Sequence, residues 1–191
     1  QAGDPLRHIH WKGWAKTGKP VVLEFEEAFF PRYGLILDTK GDFTNSEQFE
    51  TAISIAASFA SRIDTQECLV ELMFLEGKAV RVAAGRGEAR EDELLEALAG
   101  VKMQAAADYE KLLRLVSSHT SQLTSAFMPL AGWDADRAAL VSKLVASGLG
   151  LTVFPVFANS KQAQEALRAY PCVAPWVPVH LSTVQEDLLS A

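Results

Sequence analysis

A chain of 191 residues that is 49% hydrophobic and 22% charged has the composition of a folded domain, which excludes a disordered or low-complexity segment. At this length one domain with a substantial core is expected. A formal net charge of −6 excludes a general attraction to nucleic acid or anionic lipid.

The charge is uneven. Residues 1–19 carry Arg7, Lys12, Lys16 and Lys19 against Asp4, a balance of +3 that leaves −9 for the remainder. The opening segment, Gly3 to Lys16, sustains neither helical nor strand periodicity and reads as a structured arm. After the turn Thr17-Gly18-Lys19-Pro20, the run Val21 to Glu26 reads as a short, half-exposed strand.

Tyr33 to Leu37 is a continuous apolar run, as expected of a parallel strand covered on both faces. It ends in the acidic turn Asp38-Thr39-Lys40-Gly41-Asp42. Thr44 and Glu47 then have capping-box spacing. Phe49, Ala52, Ile53, Ala56, Phe59, Ala60 and Ile63 follow at helical spacing and predict one buried stripe.

Cys68 to Leu75 and Ala79 to Ala83, joined by Glu76-Gly77-Lys78, predict an antiparallel hairpin that ends at Gly85-Arg86-Gly87. Two short helices are marked by Leu94, Leu95 and Leu98 and by Tyr109, Leu112, Leu113 and Val116. Leu123 to Leu130 predicts a strand with Pro129 at its end. Asp134 stands before a helix whose buried face is Ala138, Val141, Leu144 and Val145, with Gly148 placed to terminate it. Leu151 to Phe157 predicts a strand interrupted by Pro155, Gln162 to Ala169 a helix, and Trp176 to Leu181 a last strand. Alternation of this kind predicts an α/β fold, a doubly wound and mostly parallel sheet with helices on both faces and one antiparallel edge strand. The division is an arm and short strand over 1–32, packed on a single domain over 33–191.

The arm carries a resemblance. Gly3, Asp4, Arg7, Ile9, Trp11, Lys12, Ala15 and Lys16, followed by Glu24-Phe25-Glu26-Glu27, are similar to the signature of domain-of-unknown-function family 58. Tyr33 to Asp38, Gly85-Arg86-Gly87 and the Leu94 helix resemble later parts of that family. The resemblance implies a von Willebrand factor A-like, Rossmann-like three-layer fold in a bacterial or archaeal protein that usually carries a pair of N-terminal membrane helices. It implies a binding or adaptor role beside a MoxR-type AAA+ ATPase, with no catalytic activity established for the family. The chain opens at Gln1 rather than Met, so it is expected to be the C-terminal part of a longer protein. That protein would sit on the cytoplasmic side of the inner membrane.

Von Willebrand A domains often hold a divalent cation through Asp-x-Ser-x-Ser after the first strand, with hard oxygen ligands around an open position. Here the first Asp is kept as Asp38, but Lys40 and Asp42 stand where the serines would be. An ammonium ~4 Å from a divalent ion costs roughly 8 kcal/mol at an effective dielectric of about 20, so no metal or other cofactor is expected. If a metal does bind, Asp38 and Asp42 are the ligands. Lys40 is expected to pair with Asp38 or Asp42, and Asp134 to serve as a helix cap.

The strand-end surface of Asp38, Thr39, Lys40, Asp42 and Asp134 is therefore the candidate binding site for a protein partner. The alternative is a divalent-metal-dependent ligand-binding protein or hydrolase that uses Asp38, Asp42 and Asp134. His8 and His10 offer only Asp4 as a third zinc ligand, and arm packing explains them better. Neither Cys68 nor Cys172 has metal-ligand spacing or an activating base, and both read as buried free thiols. His119 and His180 belong to no nucleophile motif, and Gly85-Arg86-Gly87 lacks the Gly-Lys-Ser/Thr of a phosphate loop. Arg7, Trp11, Lys12 and Lys16 are expected to pin the arm to the acidic body, or else to present a basic aromatic patch. Leu115 to Trp133 lacks formal charge for 19 residues but holds six Ser/Thr, and no membrane span is expected.

Overall fold

The computed structural model describes residues 11–18, 30–41, 43–62, 68–85, 91–106 and 108–181. Gly3, Asp4, Arg7, His8, Ile9 and His10, the expected strand Val21 to Glu26, and Asp42, Ile63, Arg86 and Gly87 lie outside the described residues.

The apolar run becomes strand β1 (Arg32–Ile36), whose last three residues are buried. It lies inside a six-stranded sheet with β2 (Leu69–Glu76), β3 (Lys78–Ala84), β4 (Ser125–Leu130), β5 (Leu151–Phe157) and β6 (Val179–His180). The order is β3-β2-β1-β4-β5-β6. All neighbours pair in parallel except β2 and β3, the hairpin around Gly77. The chain moves one way from β1 to β2 and β3, then returns past β1 to β4, so the strand order reverses between β1 and β4. Loops diverge at such a point and leave a crevice at the carboxyl ends of the strands.

Helix α1 (Trp11–Thr17) corrects the reading of the opening segment as irregular. Gly18, at φ +67°, donates its N–H to the Trp14 carbonyl and closes the helix. Trp11 and Trp14 stack at 5.6 Å on one side of it. Trp11 is 60% exposed, with Lys12 and Lys16 exposed nearby.

Helix α2 (Ser46–Arg62) follows one 3-10 turn, Phe43–Asn45. It buries Phe49, Ala52, Ala56 and Ala60 as the periodicity predicts, and also Ile55, while Ile53 and Phe59 are half-buried. With Leu94 and Leu98 of α3 (Glu91–Gly100) it covers one face of the sheet, over Leu35, Leu37, Val70 and Leu72. Helices α4 (Tyr109–Ser117) and α5 (Ala135–Ala146) cover the other, through Leu112, Val116, Leu140 and Leu144 over Ile36, Met73 and Met128. Alternate residues of each strand serve opposite cores, which is why the strands read as unbroken apolar runs. Helix α6 (Ser160–Ala169) follows β5 and is capped by Asn159.

Both strand prolines sit where a missing amide is harmless. The Ala126 N–H points at β5, donating to Gly150, so the position of Pro129 in the alternation faces β1, beyond the last β1–β4 pair, Leu35 with Phe127. Pro155 does not interrupt β5. Val153 faces the last strand, taking the Pro175 carbonyl and the Val177 N–H, and two residues on, Pro155 faces the same way. There, between the bridge Val153–Trp176 and the pair Val156–Val179, the pairing is broken. The expected strand Trp176 to Leu181 is accordingly reduced to that bridge and two residues.

Candidate functional site

The crevice contains a connected network of six side chains: Asp38, Lys40, Tyr109, Asp134, Asp136 and Arg137. Asp38, just past β1, is fully buried. Its Oδ1 accepts the backbone N–H of Lys40 at 3.0 Å, and the Tyr109 hydroxyl lies 3.2 and 3.1 Å from its two oxygens. Its Oδ2 accepts Nε of Arg137 at 2.6 Å. Thr39, 3% exposed, turns its hydroxyl away to donate to the Leu75 carbonyl at 2.8 Å, tying the end of β1 to the end of β2.

Arg137 is on the first turn of α5, and Asp134 is the N-cap, its Oδ1 accepting the Arg137 N–H at 2.9 Å. The same cap binds the Arg137 side chain, Nη1 to Oδ2 at 2.9 Å, while Nη2 donates to the Lys40 carbonyl at 2.8 Å. A guanidinium that is only 4% exposed thus joins α5 to Asp38 and to the turn behind it. Lys40 Nζ pairs with Asp136 at 2.8 Å and Asp134 at 3.4 Å, and lies 5.5 Å from the centre of the Tyr109 ring.

Protonation follows from this geometry. Burial, reinforced by the Asp38 charge, pushes the Tyr109 hydroxyl above its ordinary range, so it stays protonated and donates. Burial disfavours the charged forms of Lys40, Asp134 and Arg137, but their partners outweigh it. Asp136 and Asp134 hold Lys40 above its usual value, and Asp38 does the same for Arg137. Asp134 is held below the usual carboxylate range by the Arg137 N–H and guanidinium and by Lys40. All four groups keep one charge state across physiological pH.

These residues do not fit a divalent cation. The oxygens of Asp38 are committed to Arg137, Tyr109 and the Lys40 amide, and the guanidinium stands against Oδ2, where an ion bound to Asp38 would lie. Two cations, Lys40 and Arg137, face three carboxylates, Asp38, Asp134 and Asp136, which leaves −1 and little attraction for a second positive charge. Among the described residues no group of three His, Cys, Asp or Glu side chains could hold a metal. The expected pairing of Lys40 with Asp38 is corrected, since only its backbone amide reaches Asp38 and its ammonium goes to the α5 carboxylates. Asp134 is the expected cap and, beyond that, a partner of both cations.

Arg137, Tyr109 and Asp136 were missing from the sequence-based site. Tyr109 reads as one more apolar residue of α4. Arg137 lies one helical turn before Leu140 and Val141 on the buried face of α5; of the expected stripe, Val141 and Leu144 are buried and Ala138 and Val145 partly buried, while Arg137 and Leu140 were not expected on it. A charge on the buried stripe, three residues after an Asp cap, was the available signal.

Two cavities flank the network. One, about 180 Å³, is lined by Lys40, Gly41, Asn45, Ala105, Asp134 and Arg137. The other, about 420 Å³, lies between the start of α2, the β4–α5 loop and the start of α6, and shares Asn45 and Arg137 with the first. The cysteines lie elsewhere: neither forms a disulfide, Cys68 is buried, and burial pushes the half-buried Cys172 thiol up, the reverse of activation.

No protein-family model matches the chain. No curated protein sequence matches it either. Solved structures do. Proximal thread matrix protein 1 from the mussel byssus aligns at TM-score 0.58 and 8% identity, over 85% of this chain and 45% of the other, so this chain spans less than half of that protein's length. Another structure of the mussel protein is described with a zinc-occupied MIDAS motif. The manganese-loaded TRAP protein of Plasmodium vivax aligns at 0.55 and 9% identity, over 83% and 72% of the two chains. The conserved hypothetical protein BatB of Bacteroides thetaiotaomicron aligns at 0.53 and 10% identity, over 84% and 95%. At such identities the likeness is one of fold. With the parallel sheet and its single antiparallel edge strand, it establishes that this chain has a von Willebrand factor A-like, Rossmann-type α/β fold.

Proposed function

We propose that this chain is a non-enzymatic protein-binding module whose strand-end surface works without a divalent cation. The observation that carries the reading is the Arg137 guanidinium, 2.6 Å from Asp38, a cation that belongs to the chain itself. Domains of this fold typically mediate protein or ligand interactions. Metal-dependent hydrolysis or ligand binding through Asp38, Asp42 and Asp134 is disfavoured because Asp38 and Asp134 are already engaged by Arg137, Lys40 and Tyr109, Asp42 lying outside the described residues.

The resemblance of the signature arm supports a finer assignment, an adaptor for a MoxR-type AAA+ ATPase in a membrane-associated bacterial protein. Among the described residues no helix is long and apolar enough to cross a membrane, so a membrane anchor would lie in other parts of the protein.

A melting scan in Mg²⁺, Mn²⁺ and EDTA tests the cation-independent reading. The expected result is one melting temperature in all three. A metal-dependent rise that disappears in Asp38→Asn would overturn it. For the adaptor assignment, the full-length protein is expected to co-purify with the ATPase encoded beside it and to change its hydrolysis rate. Failure of both with nucleotide bound removes that partner.

A further inference from the structure

We propose that the cavities beside Arg137 recognise an uncharged peptide amide of a partner protein, with the Arg137 guanidinium donating to its carbonyl oxygen. The inference rests on the binding-module reading and adds the chemistry of what is bound.

The donor and acceptor inventory of the network does not balance. A guanidinium has five N–H groups. Arg137 uses one on Asp38, one on Asp134 and one on the Lys40 carbonyl, which leaves two without an acceptor among the described residues. Arg137 is 4% exposed and lines both cavities, so little bulk water reaches those two donors, and a buried donor without an acceptor is costly. The carboxylates beside Arg137 are already engaged. Asp38 receives Lys40, Tyr109 and Arg137, and Asp134 receives Arg137 twice and Lys40 once. A ligand suited to this site brings acceptors.

Charge decides which acceptor. The network carries −1, and Glu47 on the wall of the larger cavity adds another negative charge, so a carboxylate enters against two surplus negative charges. A carbonyl enters without that repulsion. The remaining polar wall of the larger cavity is neutral: Thr44, Asn45, Gln48 and Gln162. Gln48 is half-exposed and forms no side-chain hydrogen bond within the described structure, so its amide can pair with a peptide N–H and C=O together. Exchanging peptide–water for peptide–protein hydrogen bonds in a concave site is the usual basis of amide recognition.

The test uses the intact chain and two small probes, N-acetylglycine N-methylamide and acetate, titrated at matched ionic strength and followed through the Arg137 Nε–H and Gln48 side-chain amide NMR signals. The blocked glycine is expected to shift both signals saturably, with acetate about tenfold weaker or silent, a ratio that corresponds to 1.4 kcal/mol. Arg137→Lys keeps the charge and loses the planar fork, and should abolish the shift at Gln48. Since Arg137 also holds Asp38, Gln48→Ala is the second variant, expected to weaken the amide several-fold at an unchanged melting temperature. Acetate binding as tightly as the amide, no saturable shift with either probe, or full amide affinity in Gln48→Ala would overturn the proposal. Any of these leaves the binding-module reading standing, because that reading is decided by divalent independence and partner capture.

Discussion

Replacing Arg137 by Leu isolates the main electrostatic element of the site. In the wild type its guanidinium compensates Asp38, which is fully buried, through a 2.6 Å charge-assisted contact. Leucine fills part of the volume but leaves that carboxylate with only the Tyr109 hydroxyl and the Lys40 amide. Stranding one partner of a buried pair costs about 3–5 kcal/mol. At a urea m-value of ~2 kcal/mol/M this moves the unfolding midpoint down by about 2 M with the slope unchanged. Trp133 and Trp176, packed edge-to-face at 4.9 Å behind the β4–α5 loop, supply the fluorescence signal. Much of the loss should return in the double variant Asp38→Asn, Arg137→Leu, which removes the stranded charge, giving a coupling energy of about 2 kcal/mol between the two positions. A Leu variant within about 1 kcal/mol of wild type, or strictly additive effects in the double variant, would refute the argument that Arg137 neutralises Asp38.

Two predictions lie away from the site. Glu71, fully buried on β2, receives Arg81 through Nε and Nη2 at 3.0 and 2.9 Å and Arg32 at 3.0 Å. Burial alone would raise its pKa, but the two arginines outweigh it and hold the carboxyl below its usual value of 4.5. A depressed carboxylate contributes stability that is present above pH 4.5 and is lost as the pH falls through the lower folded value. Glu71→Gln should therefore cost about 1–2 kcal/mol at neutral pH, the arginines being partly solvated. The gap to wild type in urea midpoints should close under acid conditions. In the hairpin, Gly85 has φ +146°, and a Cβ there would lie 2.6 Å from Leu69 Cδ2 and 2.7 Å from the Cys68 carbonyl, whereas Gly77 at φ +68° meets nothing within 4 Å. Gly77→Ala should cost about 1 kcal/mol and Gly85→Ala at least about 2, compared by thermal melting.

The elements that sequence described well are those in which local pattern and burial agree. The apolar runs at Tyr33 and Leu151, the Gly77 hairpin and the Asp134 cap all appear where periodicity and turn chemistry place them. What escaped is what depends on contacts remote in the chain. Arg137 meets Asp38 across 99 positions and Tyr109 meets it across 71, and no spacing rule reports such a meeting. Lys40 is the residue by which the sequence argues against a divalent ion, yet its ammonium pairs with Asp134 and Asp136 rather than with the Asp38 carboxylate. The obstacle is the guanidinium of a different helix. Helix α5 shows the same limit: its buried face includes Arg137 beside Leu140, Val141 and Leu144, and a charged residue there is not part of an apolar stripe read from sequence.

The consequence of using Arg137 rather than an ion lies in how the cation is held. A metal ion's occupancy depends on its concentration, whereas a guanidinium fixed by the α5 backbone is present whenever the domain is folded. It is also tied to four elements at once. Its side chain reaches the end of β1 through Asp38 and Lys40, Asp38 is held in turn by Tyr109 of α4, and Thr39 fastens the same turn to β2. Rotating any one partner away breaks buried hydrogen bonds to the others, so the network resists rearrangement. A surface of this kind is preorganised, and binding spends little free energy on ordering it. On the binding-module reading proposed above, control over when a partner is bound would then come from the partner's own state or from regions of the protein outside this surface, because withdrawing the guanidinium breaks buried hydrogen bonds to Asp38 and the Lys40 carbonyl.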